Sequence, residues 1–183
     1  MLNNATEEHV MLLDNLSDLF QRGLEYAWDC EQLLIRQLPK MVEAAASQDV
    51  KHALDLHLVE TKSHLYHLEQ IFTRLDRSPA AEKNEPVRIL ADECDRVIGH
   101  LDPSALLDAA LVFYARQIEQ SEIGLYESLC GFARALDLES IAALIDEILA
   151  VEQGSAQHLM RLAEGSINRM ATSVHNDPPF ALI

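Results

Sequence analysis

Glu31, Glu119 and Glu152 stand where a helical core would ordinarily carry leucine. Glu31 follows Leu24 by seven residues and Ala27 by four, and precedes Leu34 by three and Leu38 by seven. It therefore lies in the apolar stripe itself. Ile141, Ile145 and Ile148 lead to Glu152 in the same manner, and Leu159 and Leu162 continue that stripe. Ala115 leads to Glu119 and Glu122, two carboxylates three residues apart on a face shared with Tyr126 and Leu129. Glu60 and His64, at i and i+4, flank the row Leu54, Leu58, Leu65, Leu68 and Phe72 and border the core.

Buried carboxylates lose hydration worth several kcal/mol each and repel one another when they face. Something positive must sit among them. One solution is internal: the acids are protonated, or paired with Arg116 beside Glu119 or with a tyrosine hydroxyl. The other is a pair of divalent metal ions held by side chains from four helices, with an oxygen-rich ligand set that suits iron or manganese better than zinc. The candidate ligands are Glu31, Glu60, His64, Glu119, Glu122 and Glu152; the i+4 offset lets Glu60 and His64 reach one point. His57 and His67 extend that row over nearly three turns, too far to converge on one ion, and are expected on a solvated or dimer-facing edge. His158, six residues after Glu152, is expected to point elsewhere. Tyr26 and Tyr114, five residues before Glu31 and Glu119, are either donors to those carboxylates or ordinary core tyrosines, and Trp28 is read as packing.

The elements that must position these groups are all helical. Only six glycines and six prolines occur in 183 residues, and no stretch alternates apolar and polar residues long enough for a sheet. The 3.6-residue period predicts a first long helix from Leu16 to Met41, with Pro39 as a kink, and a second from about Val50 to Leu75. Arg77-Ser78-Pro79 stops the second, Pro86 opens a short helix VRILADECDRVI, and Gly99 ends it. Asp102-Pro103 opens a third long helix to about Ala135, and a fourth runs from near Leu138 to about Met170. The pattern predicts an all-α four-helix bundle whose crossover, between the second and third long helices, carries the short one. One domain over residues 1–171 and a tail over 172–183 are expected.

The frame is written twice. YAWDCEQ begins at Tyr26 and YARQIEQ at Tyr114, 88 residues later; Glu60-Thr-Lys-Ser63 and Glu152-Gln-Gly-Ser155 share ExxS at a spacing of 92. Pairing two such halves about an approximate twofold axis brings Glu31, Glu60, Glu119 and Glu152 toward one level.

A formal charge of −16 disfavours nucleic acid and anionic membranes as partners. No run of eighteen apolar residues and no basic leader precede the first helix, so a soluble, cytoplasmic protein is expected. Cys30, Cys94 and Cys130 lack any CxxC spacing and read as buried free thiols.

DCEQLLIRQLPKMVEAA, HLVETKSHLYHLEQIF, DAALVFYARQIEQSEIGLYESL and LIDEILAVEQGSAQHLMRLA, taken in order, resemble the four helices of the ferritin-like superfamily, and within it the bacterial YciE/YciF group of stress-associated proteins. The resemblance covers most of residues 16–170. It implies a ferritin-like fold, a homodimer, and a di-metal site of iron or manganese with Glu31, Glu60, Glu119, Glu122 and Glu152 as ligands and His64 where relatives usually have Gln. Two departures stand out. The Glu-x-x-His pattern of the superfamily is here Glu-x-x-Ser, with Ser63 and Ser155, and Ala156 stands where YciF-type relatives tend to have Asp. Weak, single or absent occupancy is the expectation. A stress-associated protein handling peroxide, oxygen or Fe(II) as small substrate is one functional class, a metal-free helical dimer acting by association is the alternative, and nucleic-acid protection is opposed by the charge.

Overall fold

A computed structural model describes residues 13–172, so the expected tail lies almost wholly outside the described residues. Helix α1 spans Leu16–Ala44, α2 Gln48–Arg74, α3 Glu85–Ile98, α4 Ala105–Ala135 and α5 Glu139–Leu162. A π-helical turn, Ala163–Ile167, and the short α6, Asn168–Thr172, follow. The fourth long helix is therefore interrupted one turn after Leu159 rather than continuous to Met170.

Local chemistry fixes the boundaries. Asn15 caps α1 by accepting from Asp18 N, and Ser104 Oγ caps α4 by accepting from Leu107 N, two residues beyond the expected Asp102-Pro103 start. Asp76 and Asp137 adopt positive φ after α2 and α4, and the bonds Arg77 N to Phe72 O and Leu138 N to Ala133 O satisfy carbonyls of the last turns. Pro39 lies on the exposed side of α1, which runs through it to Ala44.

The helices pair as α1 with α2 and α4 with α5, closed by α1 against α4 and α2 against α5. Helix α3, in the crossover, lies on α1 and α4. It is clasped by polar contacts: buried Asp29 accepts from Asn84 N and from the Arg88 guanidinium, while Asp95 accepts from Gln37 and Lys40. Asp108 on α4 accepts from the Ala46 and Ser47 amides and ties the α1–α2 turn to the bundle. This is the four-helix bundle with a crossover that the periodicity predicts, in the arrangement that the ferritin-like resemblance implies.

The apolar core is split in two. One cluster holds Leu34, Leu38, Met41, Leu54, Leu111 and Leu159; the other holds Phe20, Leu24, Phe72, Leu129, Ile145 and Ile148. Between them lies a polar layer.

Candidate metal centre

Each long helix sends charged or polar side chains into that layer. Glu31 comes from α1, His57 and His64 from α2, Glu119 and Glu122 from α4 and Glu152 from α5; all are buried, the four glutamates at 0–1% exposure. Two trios converge. Ligand atoms of Glu31, His64 and Glu152 lie within 4.8 Å of one another, and so do those of His57, Glu119 and Glu152. Glu152 belongs to both.

His64 Nδ1 sits 2.9 Å from Glu152 Oε1 and 3.3 Å from Glu31 Oε1, and His57 Nδ1 sits 3.2 Å from Glu119 Oε1. These are ion-pair distances without hydrogen-bond alignment: both ring nitrogens of each histidine and both oxygens of Glu119 and Glu152 lack a hydrogen-bond partner. Buried polar atoms are almost always satisfied, so a cluster of orphans aimed at common points is the signature of a site shaped for a cation. The donor set fits a pair of divalent ions.

Two buried donors support these carboxylates. Tyr126 donates its hydroxyl to Glu31 Oε1 at 2.5 Å, and the Cys30 thiol donates to Glu122 Oε1 at 3.3 Å. Cys30, Cys94 and Cys130 are all free and buried, as their spacing predicts. Trp28 packs edge-on against Phe72, with ring centroids 6.0 Å apart.

Burial penalises charge in this layer, and the protonation pattern follows. Burial opposes a charged His64, yet its contacts with Glu152 and Glu31 outweigh that and hold its pKa up at about 10. Glu152 moves below the usual carboxylate range: burial raises it, and the contacts with His64 and Glu119 more than offset the rise. Burial first, and then the charge of Glu152, push Glu119 up to about 12, and burial drives Glu122 well up as well. Glu31 is raised, mainly by burial. Burial lowers His57. At neutral pH the metal-free layer thus holds an imidazolium–carboxylate pair, His64 with Glu152, beside protonated Glu119 and Glu122.

Several expectations need correcting. His57 is not on an outer edge; it is 3% exposed and faces Glu119. His64 is central rather than bordering. The inner face of α2 runs through Ala53, Leu54, His57, Thr61, His64, Leu68, Ile71 and Phe72, whereas Leu58 and Leu65 are only half-buried. The polar members of this stripe mask its period. Arg116 is not the counter-ion; it is half-buried in a groove between α4 and α5 beside Gln120 and Ala156, and His64 supplies the positive charge. The tyrosine that donates to Glu31 is Tyr126, while Tyr26 lies under the Arg22 guanidinium. Glu60 stands apart from both trios, half-buried, accepting from Ser155 Oγ at 2.7 Å. His158 lies on the wall of a cleft that also reaches Glu119.

Four long helices with a crossover, each giving acids or imidazoles to one mid-bundle layer, form a ferritin-like fold. The chain belongs to the family described as Domain of unknown function (DUF892), which it matches over residues 15–172. It is 26% identical over 162 residues to Protein YciF of Escherichia coli K12, covering 88% of this chain and 98% of that protein. The structure of the E. coli stress protein YciF superposes with a TM-score of 0.81 over 86% of this chain and 99% of that one. YcfI of Rhodopseudomonas palustris, a protein described as structural, is 29% identical with a TM-score of 0.79, over 82% of this chain and 96% of that one. A ferritin-like, diiron-carboxylate protein of Bacillus anthracis shares the fold at 19% identity and a TM-score of 0.63, over 83% of this chain and 99% of that one. Among the described residues no helix is long and apolar enough to cross a membrane.

Proposed function

We propose that this chain is a ferritin-like di-metal protein of stress responses that binds two divalent ions, iron or manganese, and acts on a small oxidant or on Fe(II). Glu31, His64 and Glu152 would hold one ion, and His57, Glu119 and Glu152 the other. Such a pair would supply redox capacity and electrophilic activation of peroxide or oxygen. The chain's own residues prepare the site. The two apolar clusters exclude bulk water above and below it, and Tyr126 fixes the orientation of Glu31 through a hydroxyl donor. Glu119 and Glu122 hold protons in the metal-free state, so a cation enters as protons leave.

The observation that carries this reading is Glu152, a fully buried carboxylate shared by two trios of converging ligand atoms. The test is metal analysis by mass spectrometry on protein made without chelator or nickel resin, from cells supplied with iron and manganese. About two ions per chain are expected; substoichiometric traces that dialysis removes would end the reading.

The metal-free reading, a helical protein acting by association, is favoured by one feature: His64 already neutralises Glu152 from within. Under it, a chelator leaves the melting temperature unchanged.

A further inference from the structure

A cleft of about 200 Å³ opens between α2 and α5, and its polar lining is graded. His158 is exposed, Glu60 and Ser155 are half-buried, and His57 and Glu119 at its floor are buried with ring nitrogens and carboxyl oxygens lacking hydrogen bonds. We propose that this cleft is the route by which a hydrated divalent cation reaches the buried layer, with His158 and Glu60 as its outer contacts and the Glu60–Ser155 hydrogen bond as its gate. The proposal rests on the metal reading above.

Size, charge and placement agree. At roughly 30 Å³ per water, the cleft has room for a cation with about six first-shell waters and for little more. A chain of net charge −16 draws in free cations and repels anionic metal chelates. The groove on the other flank of α5, between α4 and α5, carries Arg116, which opposes a cation there. A cation arriving through the cleft meets the trio of His57, Glu119 and Glu152 first; the second trio lies beyond the shared Glu152. Ser155 Oγ holds the Glu60 carboxylate, and a cation passing between them must break that 2.7 Å bond, so Glu60 swings from hydroxyl to ion.

The test is stopped-flow loading of chelator-stripped protein with Co(II) alone, followed by its visible absorbance, with the final Co(II) content measured by mass. Three variants probe the cleft: His158→Ala, Glu60→Gln and Gly154→Leu. Gly154 lines the cleft, and a Cβ added there meets nothing within 4 Å, so the backbone accepts a side chain there and leucine narrows the mouth. Each is expected to slow loading about tenfold or more at low salt while reaching the parental Co(II) content. The deficit of Glu60→Gln should shrink in 0.5 M salt as screening shortens to a few Å, and those of His158→Ala and Gly154→Leu, which remove no negative charge, should not. Gln157→Leu, in the opposite groove, is expected to load at the parental rate. Parental rates in all three cleft variants would overturn the route while leaving the site intact. A reduced final content at an unchanged rate would overturn it too, by making Glu60 or His158 a resident ligand. A parent that takes up no Co(II) would instead overturn the metal reading and the route together.

Discussion

Replacing Glu119 by glutamine should alter stability by an amount that depends on pH with a calculable slope. In the metal-free protein Glu119 keeps its proton, its pKa raised from 4.5 to about 12 by burial and by the nearby Glu152 carboxylate. An acid raised on folding contributes its full stability below pH 4.5, where both states are protonated, and loses it progressively as pH rises toward the folded value. Between pH 5.0 and 7.5 the unfolded chain ionises and the folded chain does not, which costs about 1.4 kcal/mol per pH unit, or about 3 kcal/mol over that interval. Glutamine has nearly the same shape and no such penalty. Glu119→Gln should therefore be close to neutral at pH 5.0 and stabilising by about 3 kcal/mol at pH 7.5, a shift of roughly 6–12 °C for a domain of this size. Glu122 and His64 lose stability with rising pH in both proteins, so the difference isolates Glu119. The assay is urea unfolding at five pH values with chelator present, repeated with Mn(II). With Mn(II) the order reverses: the parent gains stability that rises with pH, and the variant, lacking a ligand, gains less. Identical pH slopes for parent and variant in chelator would show that Glu119 is ionised in the folded protein and would refute the electrostatic reasoning.

His64→Ala removes the cation that faces Glu31 and Glu152, and without metal it should cost about 3–5 kcal/mol in urea unfolding, the loss typical of stranding a buried charge; a loss under about 1 kcal/mol would mean the pair is not formed. Tyr126→Phe deletes the hydroxyl donor to Glu31 and should cost about 1–3 kcal/mol, with helical content unchanged by circular dichroism. Gly23→Ala would bring a Cβ to 2.7 Å from Leu129 Cδ2, a fully buried side chain with little room to retreat, and should lower the melting temperature by an amount worth about 1–3 kcal/mol. Gly124→Ala, where the added Cβ meets nothing within 4 Å, should raise it by the equivalent of about 0.5–1 kcal/mol.

The fold was legible because the long helices keep a 3.6-residue stripe and several boundaries carry a visible signal, Asn15 and Ser104 as caps and Gly99 after α3, whereas the turns after α2 and α4 rest on Asp76 and Asp137. Glu31, Glu119, Glu122 and Glu152 were legible for the same reason: their neighbours in the stripe are leucine, isoleucine and alanine, so the charge stands out against an apolar frame. Helix α2 was harder. Its inner stripe carries His57, Thr61 and His64 in succession, and a row that is polar for three consecutive turns looks like a surface when only hydrophobicity is weighed. The compensating signal was geometric: Ala53, His57, Thr61, His64, Leu68 and Ile71 follow steps of four, four, three, four and three. Arg116 misled for the opposite reason. Arg116 stands three residues before Glu119, which still turns the two side chains about 60° apart on a helix, and the guanidinium falls in the α4–α5 groove.

The two halves share a frame but not a chemistry, and that asymmetry sets how the layer is balanced. Glu31 and Glu119 match across the repeat, as do Glu60 and Glu152, yet Glu152 is central while Ser155 holds Glu60 aside. His57 and His64 flank Glu60 by one turn on α2; the equivalent positions on α5 are Leu149 and Ala156. Helix α2 therefore brings both nitrogens, and α5 brings the shared carboxylate. With His64 protonated and Glu119 and Glu122 neutral, the metal-free layer closes its charge by holding protons, and it loses stability as pH rises above about 4.5. With cations in place the same residues must shed those protons, so the loaded layer is strengthened as pH rises. The two states bend the stability–pH curve in opposite directions. A purified protein most stable near pH 5 and indifferent to chelator is running on His64, and one whose stability climbs toward pH 8 until chelator is added is running on metal.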